Sequence, residues 1–458
     1  MGLQTWNSVR ALDFVASLSD VDKRRLACTG ESGGGTQTFM LGAVDDRLAV
    51  QAPIVMVSHT MQGGCSCENA PGLRVEYSNM EIAAVPAPRP QILVAATGDW
   101  TTNTMEIEGP AIESVYRQFG AADRLRYVRF DFGHNYNQTS REAVYAWFGQ
   151  WLLRHSDPAS LNEQPYHKEP DADLRVFPDG KLPEDALLKE PFIESLKQAH
   201  REQWQKRLPR NKWGLAAFKR ETWPAWKHTL QIPWPPDARQ YSKEESRSVL
   251  SELGLTLPQT EKFEETVVIV MRSAAGDNPG ESSTKVEGAS PRPDMTILTA
   301  PPVSAGPQRD EFANFFTTYN RTYLQEQTRR LVSACVAVRE LSGAKRVILL
   351  GHGRAGLWAL LAAPAADAVI ADCDGLDISS DESLLATGLF CPGLRNLGTF
   401  EGAPMLAAPH PLLLHNTGNN FPMDGIRSAY RAARAGKQLR IETAPLPEDA
   451  LLEWASKL

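Results

Sequence analysis

The stretch Thr29-Gly30-Glu31-Ser32-Gly33-Gly34-Gly35 decides how this chain is read. The run Arg25 to Cys28 ahead of it reads as a buried strand, and Thr36 to Leu41 behind it as the start of a helix. Gly30 to Gly34 fits G-x-S-x-G, a pattern that gains chemical meaning between a strand and a helix. There the turn is too tight for side chains at its glycines, and it projects one hydroxyl from a strained backbone. The Gly33 N–H is then placed to meet a developing oxyanion. An ordinary glycine-rich loop is the plain alternative, and the downstream sequence separates the two.

A serine nucleophile needs a base, and the base needs an orienting acid. Three further strand-like runs follow Ser32: Val50 to Val57, Gln91 to Ala96 and Arg126 to Asp131. The second ends at Thr97-Gly98-Asp99-Trp100 and the third at Phe132-Gly133-His134-Asn135-Tyr136-Asn137. Asp99 and His134 thus fall at the carboxyl ends of strands, where reactive groups of open parallel sheets collect. The order Ser, Asp, His is also that of α/β-hydrolases. Taken singly, Asp99 reads equally well as a turn residue and His134 as a packed loop histidine. Asp123 and Asp131 are weaker rivals for the acid.

Several separated motifs now stand in order. They are residues 30–39, Cys67-Glu68-Asn69-Ala70-Pro71-Gly72-Leu73-Arg74, Ala87-Pro88-Arg89-Pro90, Thr97 to Trp100 and His134 to Asn137. Over roughly residues 5 to 155 the chain resembles bacterial acetylxylan esterase-like α/β-hydrolases. The resemblance implies Ser32 as nucleophile, Asp99 as acid and His134 as base, on an ester substrate such as an acylated carbohydrate. Glu31, Trp100, Cys67, Glu68, Arg74, Asn135 and Tyr136 are the candidates for the substrate pocket. Substrate transfers between such relatives less well than mechanism does.

One departure from that fold is plain. Its nucleophile strand follows several others, and an early loop supplies a second oxyanion donor. Here about two dozen residues precede Gly30, and they read as one helix with Trp6, Val9, Leu12 and Val15 on one face. The nucleophile strand is therefore expected at a sheet edge, with backbone groups that need cover. The oxyanion hole is expected to keep Gly33 without its usual partner, and losing one such donor costs about 3–4 kcal/mol. Gene truncation, an internal start codon and real divergence are the three expected origins of this pattern. A homodimer covering the edge across a two-fold axis is one solution to it, and a covering role for the C-terminal domain is another.

The formal charge of −7 argues against a nucleic-acid or anionic-membrane partner. No apolar stretch approaches a membrane span. Met1-Gly2-Leu3-Gln4 lacks a charged region followed by an apolar one, so no signal peptide is expected. The chain reads as soluble, and as cytoplasmic unless its start is truncated. Six cysteines are too few for a disulfide framework. Cys28, Cys335, Cys373 and Cys391 read as buried small hydrophobes. Cys65-Ser66-Cys67, near His59 and Glu68, lacks the usual spacing of zinc ligands, so no metal and no cofactor is expected. This stretch reads as a loop at the mouth of the site.

Val144, Trp147, Phe148, Trp151 and Leu152 carry helical spacing and close the first unit. Residues 156–262 read as a connector rich in Pro, Lys, Glu and Trp, with short helices at Ala199 to Lys206 and Ser242 to Leu253. Pro233-Trp234-Pro235-Pro236 reads as extended. Its tryptophans anchor a wandering chain in this reading, with sugar binding as the alternative. Strands return at Thr266 to Met271, Met295 to Thr299, Arg346 to Leu350, Ala368 to Ala371, Pro411 to Leu414 and Leu439 to Glu442. Ser273 to Pro293 reads as a polar loop and Arg321 to Leu341 as a long helix. Gly351-His352-Gly353-Arg354-Ala355-Gly356 repeats the elbow pattern with glycine at the nucleophile position. A dinucleotide fingerprint with Asp372 or Asp374 is the minor reading of this run. Thr443 to Glu448, after the last strand, contain no histidine.

The expected fold class is thus α/β, with two α/β-hydrolase-like parallel-sheet units. The first (1–155) lacks its early strands and the second (263–458) lacks catalytic residues. The expected function is a serine carboxylic-ester hydrolase working through an acyl-enzyme on short-chain acyl esters. A silent pseudo-hydrolase that acts as a binding or interaction protein is the alternative, and a peptidase is a weaker third.

Overall fold

Apolar β-branched runs alternating with helices predict a parallel sheet, because parallel strands need a crossover between them. The computed structural model describes residues 1–458 apart from 156, 235–239, 256, 259–261, 275–291, 305 and 307–308. Most of the Ser273 to Pro293 loop and part of Pro233 to Pro236 lie outside the described residues. One compact unit holds Met1–Glu184 with Phe312–Asn320, and a second holds Asp185–Glu311 with Arg321–Leu458. Both are built on parallel sheets, as α/β-hydrolase-like units are.

The first unit runs α1 (Gly2–Ser17), β1 (Leu26–Glu31), α2 (Gly33–Val44), β2 (Leu48–Ile54), α3 (Asn79–Ala84), β3 (Gln91–Gly98), α4 (Glu108–Gln118), β4 (Leu125–Gly133) and α5 (Gln138–Phe148). Its strands pair in parallel in the order β1-β2-β3-β4. Side chains alternate across the sheet with the period of two that strands impose. Leu93 faces Phe39, Ile112 and Tyr116 of α2 and α4, while Ile92 and Val94 face Val144 and Trp147 of α5. The α5 stripe continues past Phe148 into a π-helical turn, Gly149–Leu153. β2 stops at Ile54, shorter than the apolar run, where Val55 turns to φ 43°.

β1 lies at the edge of the sheet, as its place in the sequence predicts. Only Leu26 of this strand is buried. Helix α1 contributes Leu12 to a small cluster with Leu26, Leu41 and Leu48. The predicted α1 stripe is therefore used in part. Trp6 is 57% and Val15 38% exposed, while Val9, Leu12 and Ala16 rest on the cluster.

The second unit runs α6 (Lys189–Arg207), α7 (Lys212–Leu230), α8 (Lys243–Glu252), β5 (Thr266–Arg272), β6 (Thr296–Thr299), α10 (Tyr323–Ser342), β7 (Arg346–His352), α11 (Arg354–Leu361), β8 (Ala368–Asp372), α12 (Asp381–Leu384), α13 (Gly402–Ala407), β9 (Leu412–His415), α14 (Asp424–Ala432), β10 (Leu439–Ile441) and α15 (Glu448–Ser456). The intervening α9 (Phe316–Tyr319) belongs to the first unit. The sheet order is β10-β9-β8-β7-β5-β6, parallel throughout. Much of the sequence-level connector is part of this unit. Trp226, Leu230, Trp234 and Leu250 are buried in the same cluster as Ile269, Val332 and Leu349. α7 holds Pro224 inside it, which hid the helix from the sequence pattern. The anchoring reading fits Trp226 and Trp234, while Trp213 stands 86% exposed.

Candidate functional site

Ser32 sits between β1 and α2 with φ 56° and ψ −120°. Glycines on both sides make that turn feasible. A Cβ on Gly30 would come within 2.4 Å of the Gly34 carbonyl oxygen. One on Gly35 would come within 2.8 Å of the Ile54 carbonyl oxygen. Gly34 meets nothing within 4 Å, so its lack of a side chain is not a packing requirement. The Ser32 N–H donates to Ile54 O at 3.0 Å, fixing the turn to the end of β2. Helix α2 begins at Gly33, earlier than the apolar run indicated, so the Gly33 N–H belongs to a helix N-terminus with no carbonyl before it to bond.

Asp99 follows β3 and His134 follows β4 directly. The His134 imidazole Nδ1 lies 2.9 Å from Asp99 Oδ2. The Asp99 side chain is 2% exposed and that of His134 is 29% exposed. Oδ1 of Asp99 is held by the Thr101 backbone N–H at 2.7 Å and the Thr101 hydroxyl at 2.6 Å. The carboxylate is thus fixed from one side and presents its other oxygen to the ring. Trp100 lies against His134, ring centroids 4.4 Å apart and tilted by 40°. Its indole N–H is buried without a partner. On the far side of the imidazole, Nε2 lies 3.6 Å from Glu31 Oε1. Among the described residues, no hydrogen bond joins the Ser32 hydroxyl to His134.

The other candidates divide by what they touch. Glu68 is buried, and its Oε2 accepts the N–H groups of Gly64 and Cys65 at 2.6 and 3.2 Å. Its Oε1 stands close to Gly33, 3.4 Å from where a Cβ on that glycine would be. Arg74 turns inward: it donates to Asn79 Oδ1, Glu68 O and Asn69 Oδ1, and its guanidinium lies over Tyr319. Burial pulls the Arg74 pKa below its ordinary value. Asn135 folds onto the backbone of Gly133 and Asn137, and Tyr136 bonds through its hydroxyl to that of Thr29 at 2.9 Å. Tyr136 ties the loop after β4 to the edge strand, and burial raises its pKa. The rival acids lie elsewhere. Asp131 receives the Thr97 hydroxyl at 2.6 Å, and Asp123 stands in the turn Ala122–Arg124.

Cys65 and Cys67 are joined as a disulfide, a pairing the sequence reading did not anticipate. Their sulfurs and the Glu68 carboxylate lie within 4.8 Å of one another. Bonded sulfurs are not thiolates, and a thiolate is what a metal binds. Cys28 is half-buried, while Cys335, Cys373 and Cys391 are buried, with thiols pushed up by desolvation.

The sequence missed Thr101 and the approach of Glu31 to the ring. Thr101 had a local signal, since an Asp followed two residues later by a hydroxyl residue is a common side-chain turn. Glu31 had none, because its neighbour arrives from about a hundred positions away.

The second unit repeats the elbow without its hydroxyl. Gly353 takes φ 58° and ψ −139° between β7 and α11. The Ser273 hydroxyl, just past β5, lies 2.8 Å from where a Cβ on Gly353 would be, and it accepts the Arg354 N–H at 3.0 Å. Asp372 accepts the Gly353 N–H at 3.0 Å.

No family model matches the chain. The chain is 27% identical over 161 residues to the Bacillus subtilis (strain 168) protein named "Putative hydrolase YtaP", covering 33% of this chain and 54% of the relative. The chain thus spans about half the length of the curated relative it matches. Among solved structures, Methylesterase BT1017 aligns at 31% identity over 43% of this chain and 47% of that one, with a TM-score of 0.35. A carbohydrate esterase family 15 glucuronoyl esterase from Caldicellulosiruptor kristjansonii aligns at 20% identity over 36% and 54%, with a TM-score of 0.28. No described helix is long and apolar enough to cross a membrane.

Proposed function

We propose that the first unit is a serine carboxylic-ester hydrolase. Ser32 Oγ attacks the acyl carbon as His134 Nε2 takes its proton. The C–O bond to the alcohol then breaks, and His134 returns the proton to the leaving oxygen. Water attacks the resulting acyl-enzyme by the same route and releases the acid. Asp99 holds the imidazole with its Nδ1–H pointing away from the serine, and the Gly33 N–H meets the oxyanion. Short-chain acyl groups, on a carbohydrate or another small alcohol, are the proposed substrates. The likeness to a hydrolase supports this reading.

The observation that carries it is the 2.9 Å contact between His134 and Asp99, just beyond the ends of β3 and β4. Ser32 stands at the same carboxyl end of the parallel strands, past β1, in a backbone conformation that costs a non-glycine residue about 1–3 kcal/mol. A second reading rests on a specific observation too. Ser32 and His134 share no hydrogen bond, and Glu31 lies at the nitrogen the serine would use. That favours a silent pseudo-hydrolase acting as a binding protein. Catalytic hydrogen bonds are often long before substrate arrives, so the esterase reading takes precedence.

Hydrolysis of 4-nitrophenyl acetate by the wild type and by Ser32→Ala tests it. The expected outcome is a loss of about 10³-fold or more, down to background. Equal rates, or no wild-type turnover above background, support the second reading instead.

A further inference from the structure

Strand β1 pairs with β2 on one side, and among the described residues no strand lies on its other side. The Ser32 N–H, at the end of β1, donates to Ile54 O of β2. Backbone groups alternate in direction along a strand, so Leu26, Cys28 and Gly30 turn theirs toward β2. Ala27, Thr29 and Glu31 turn theirs outward. Ala27 and Thr29 are also exposed. Proteins commonly blunt such an edge with proline or lysine, and Leu26–Glu31 contains neither.

Helix α1 has two apolar faces. Val9, Leu12 and Ala16 rest on the cluster that holds Leu26 and Cys28. On a second face, Leu3, Trp6 and Phe14 fall at i, i+3 and i+11, and each is more than half exposed. Arg10 stands in the same row, its guanidinium 4.5 Å from the centroid of the Trp6 ring. A surface helix normally turns polar residues to water. A row of exposed apolar side chains beside an open sheet edge is the mark of an interaction surface.

We propose that β1 and α1 of the first unit form a two-fold interface between two copies of this chain. A two-fold axis normal to the sheet joins β1 to β1 of the second copy as an antiparallel pair. Such an axis does not exchange the faces of the sheet, so both α1 helices stay on one side of it. One operation thus pairs the outward backbone groups and lets the two apolar rows cover each other. The axis also restricts the register, because residues directly opposite must point to the same face and so share parity. Centring on Cys28 sets Ala27 opposite Thr29. It also sets Arg25, next to the strand, opposite Glu31 of the second copy, which places opposite charges together on both sides of the axis. Arg25 is half exposed beyond its 3.0 Å contact with Asp22, and Glu31 is partly exposed beside His134. The interface is built from backbone and apolar surface, so it stands apart from hydrolysis at Ser32.

Sedimentation equilibrium of the full chain tests it, and twice the chain mass is expected at about 10 μM. Ala27→Pro removes an outward N–H that the sheet of one copy does not use. Trp6→Glu with Phe14→Glu charges the apolar row. Each variant is expected to raise the dimer dissociation constant at least about thirtyfold, with the wild-type circular dichroism spectrum. Opposite residues whose backbone groups turn away from the partner strand stand about 4.5 Å apart at Cα, within disulfide reach. Copper-phenanthroline oxidation is therefore expected to link Cys28 of the two copies, giving a dimer band on a non-reducing gel that Cys28→Ser abolishes. Ser32→Ala is expected to dimerise as the wild type does. A chain that stays monomeric up to about 100 μM, a dimer that survives both variants, or a dimer that forms without the Cys28 link overturns the proposal. A monomer that cosediments with phosphatidylcholine vesicles through Trp6 and Phe14 overturns it in favour of a lipid surface.

Discussion

Two turns of nearly one backbone shape follow β1 and β7, and they differ in what they hold. Ser32 has φ 56° and ψ −120°, and Gly353 has φ 58° and ψ −139°. The residue two places earlier is glycine in both. Its missing Cβ would come within 2.4 Å of a carbonyl oxygen in each, of Gly34 in the first turn and of Ala355 in the second. The shape therefore follows from how a strand and a helix pack closely, and the hydroxyl is a separate addition. In the second turn the place of that hydroxyl is taken by Ser273, which also accepts the Arg354 N–H. That N–H is the counterpart of Gly33 N–H, so the second turn has lost its donor along with its side chain. Glycine at 353 relieves the strain of positive φ. Serine at 32 keeps it, at a cost of about 1–3 kcal/mol in stability.

The sharpest way to break this comparison is Asp99→Asn. The amide oxygen would keep both bonds from Thr101, leaving the NH₂ group facing His134 Nδ1. The ring is then driven to the wrong tautomer for taking a proton from Ser32. A fall of about 10⁴-fold in kcat at unchanged thermal stability is expected from esterase kinetics and a melting scan. Retained turnover would mean the acid lies elsewhere.

The next effect is on stability. Gly30→Ala and Gly351→Ala both push a methyl group into backbone, and each is expected to lower unfolding free energy by about 3 kcal/mol or more. Gly34→Ala, with open space around it, is expected to stay within about 1 kcal/mol. Denaturant titration with m-values reads all three. If Gly351→Ala were tolerated while Gly30→Ala were not, the two turns would not share a packing cause.

The smallest effect is at Ser273. Its removal leaves the Arg354 N–H without its acceptor, for an expected loss of about 1 kcal/mol. Ester hydrolysis is expected to stay at the wild-type rate. A large drop in turnover would place chemistry in the second unit and end the contrast between the two turns.

Much of this was legible in the sequence because it rests on local rules. The β-branched runs became β2, β3, β5 and β7, and the residues after β3 and β4 proved to be Asp99 and His134, bonded to each other. The glycine spacing gave both elbows. What was hidden depends on contacts between distant stretches. Trp6 and Val15 have helical spacing, yet they stay exposed, and α1 rests on its neighbours through Val9, Leu12 and Ala16. Residues 185–262 look like a connector by composition, and they join the second unit because Trp226 and Trp234 are buried there. The Cys65–Cys67 pairing, the turn of Arg74 toward Asn79, and the approach of Glu31 to His134 had no periodic signature to betray them.

The most direct test of the account is active-site labelling with a fluorophosphonate, followed by peptide mapping of the full chain. Phosphonylation is predicted at the Ser32 hydroxyl alone, with loss of esterase activity in proportion and no adduct on the peptide bearing Ser273. Labelling at any other serine, or full turnover from protein whose Ser32 is blocked, would contradict it.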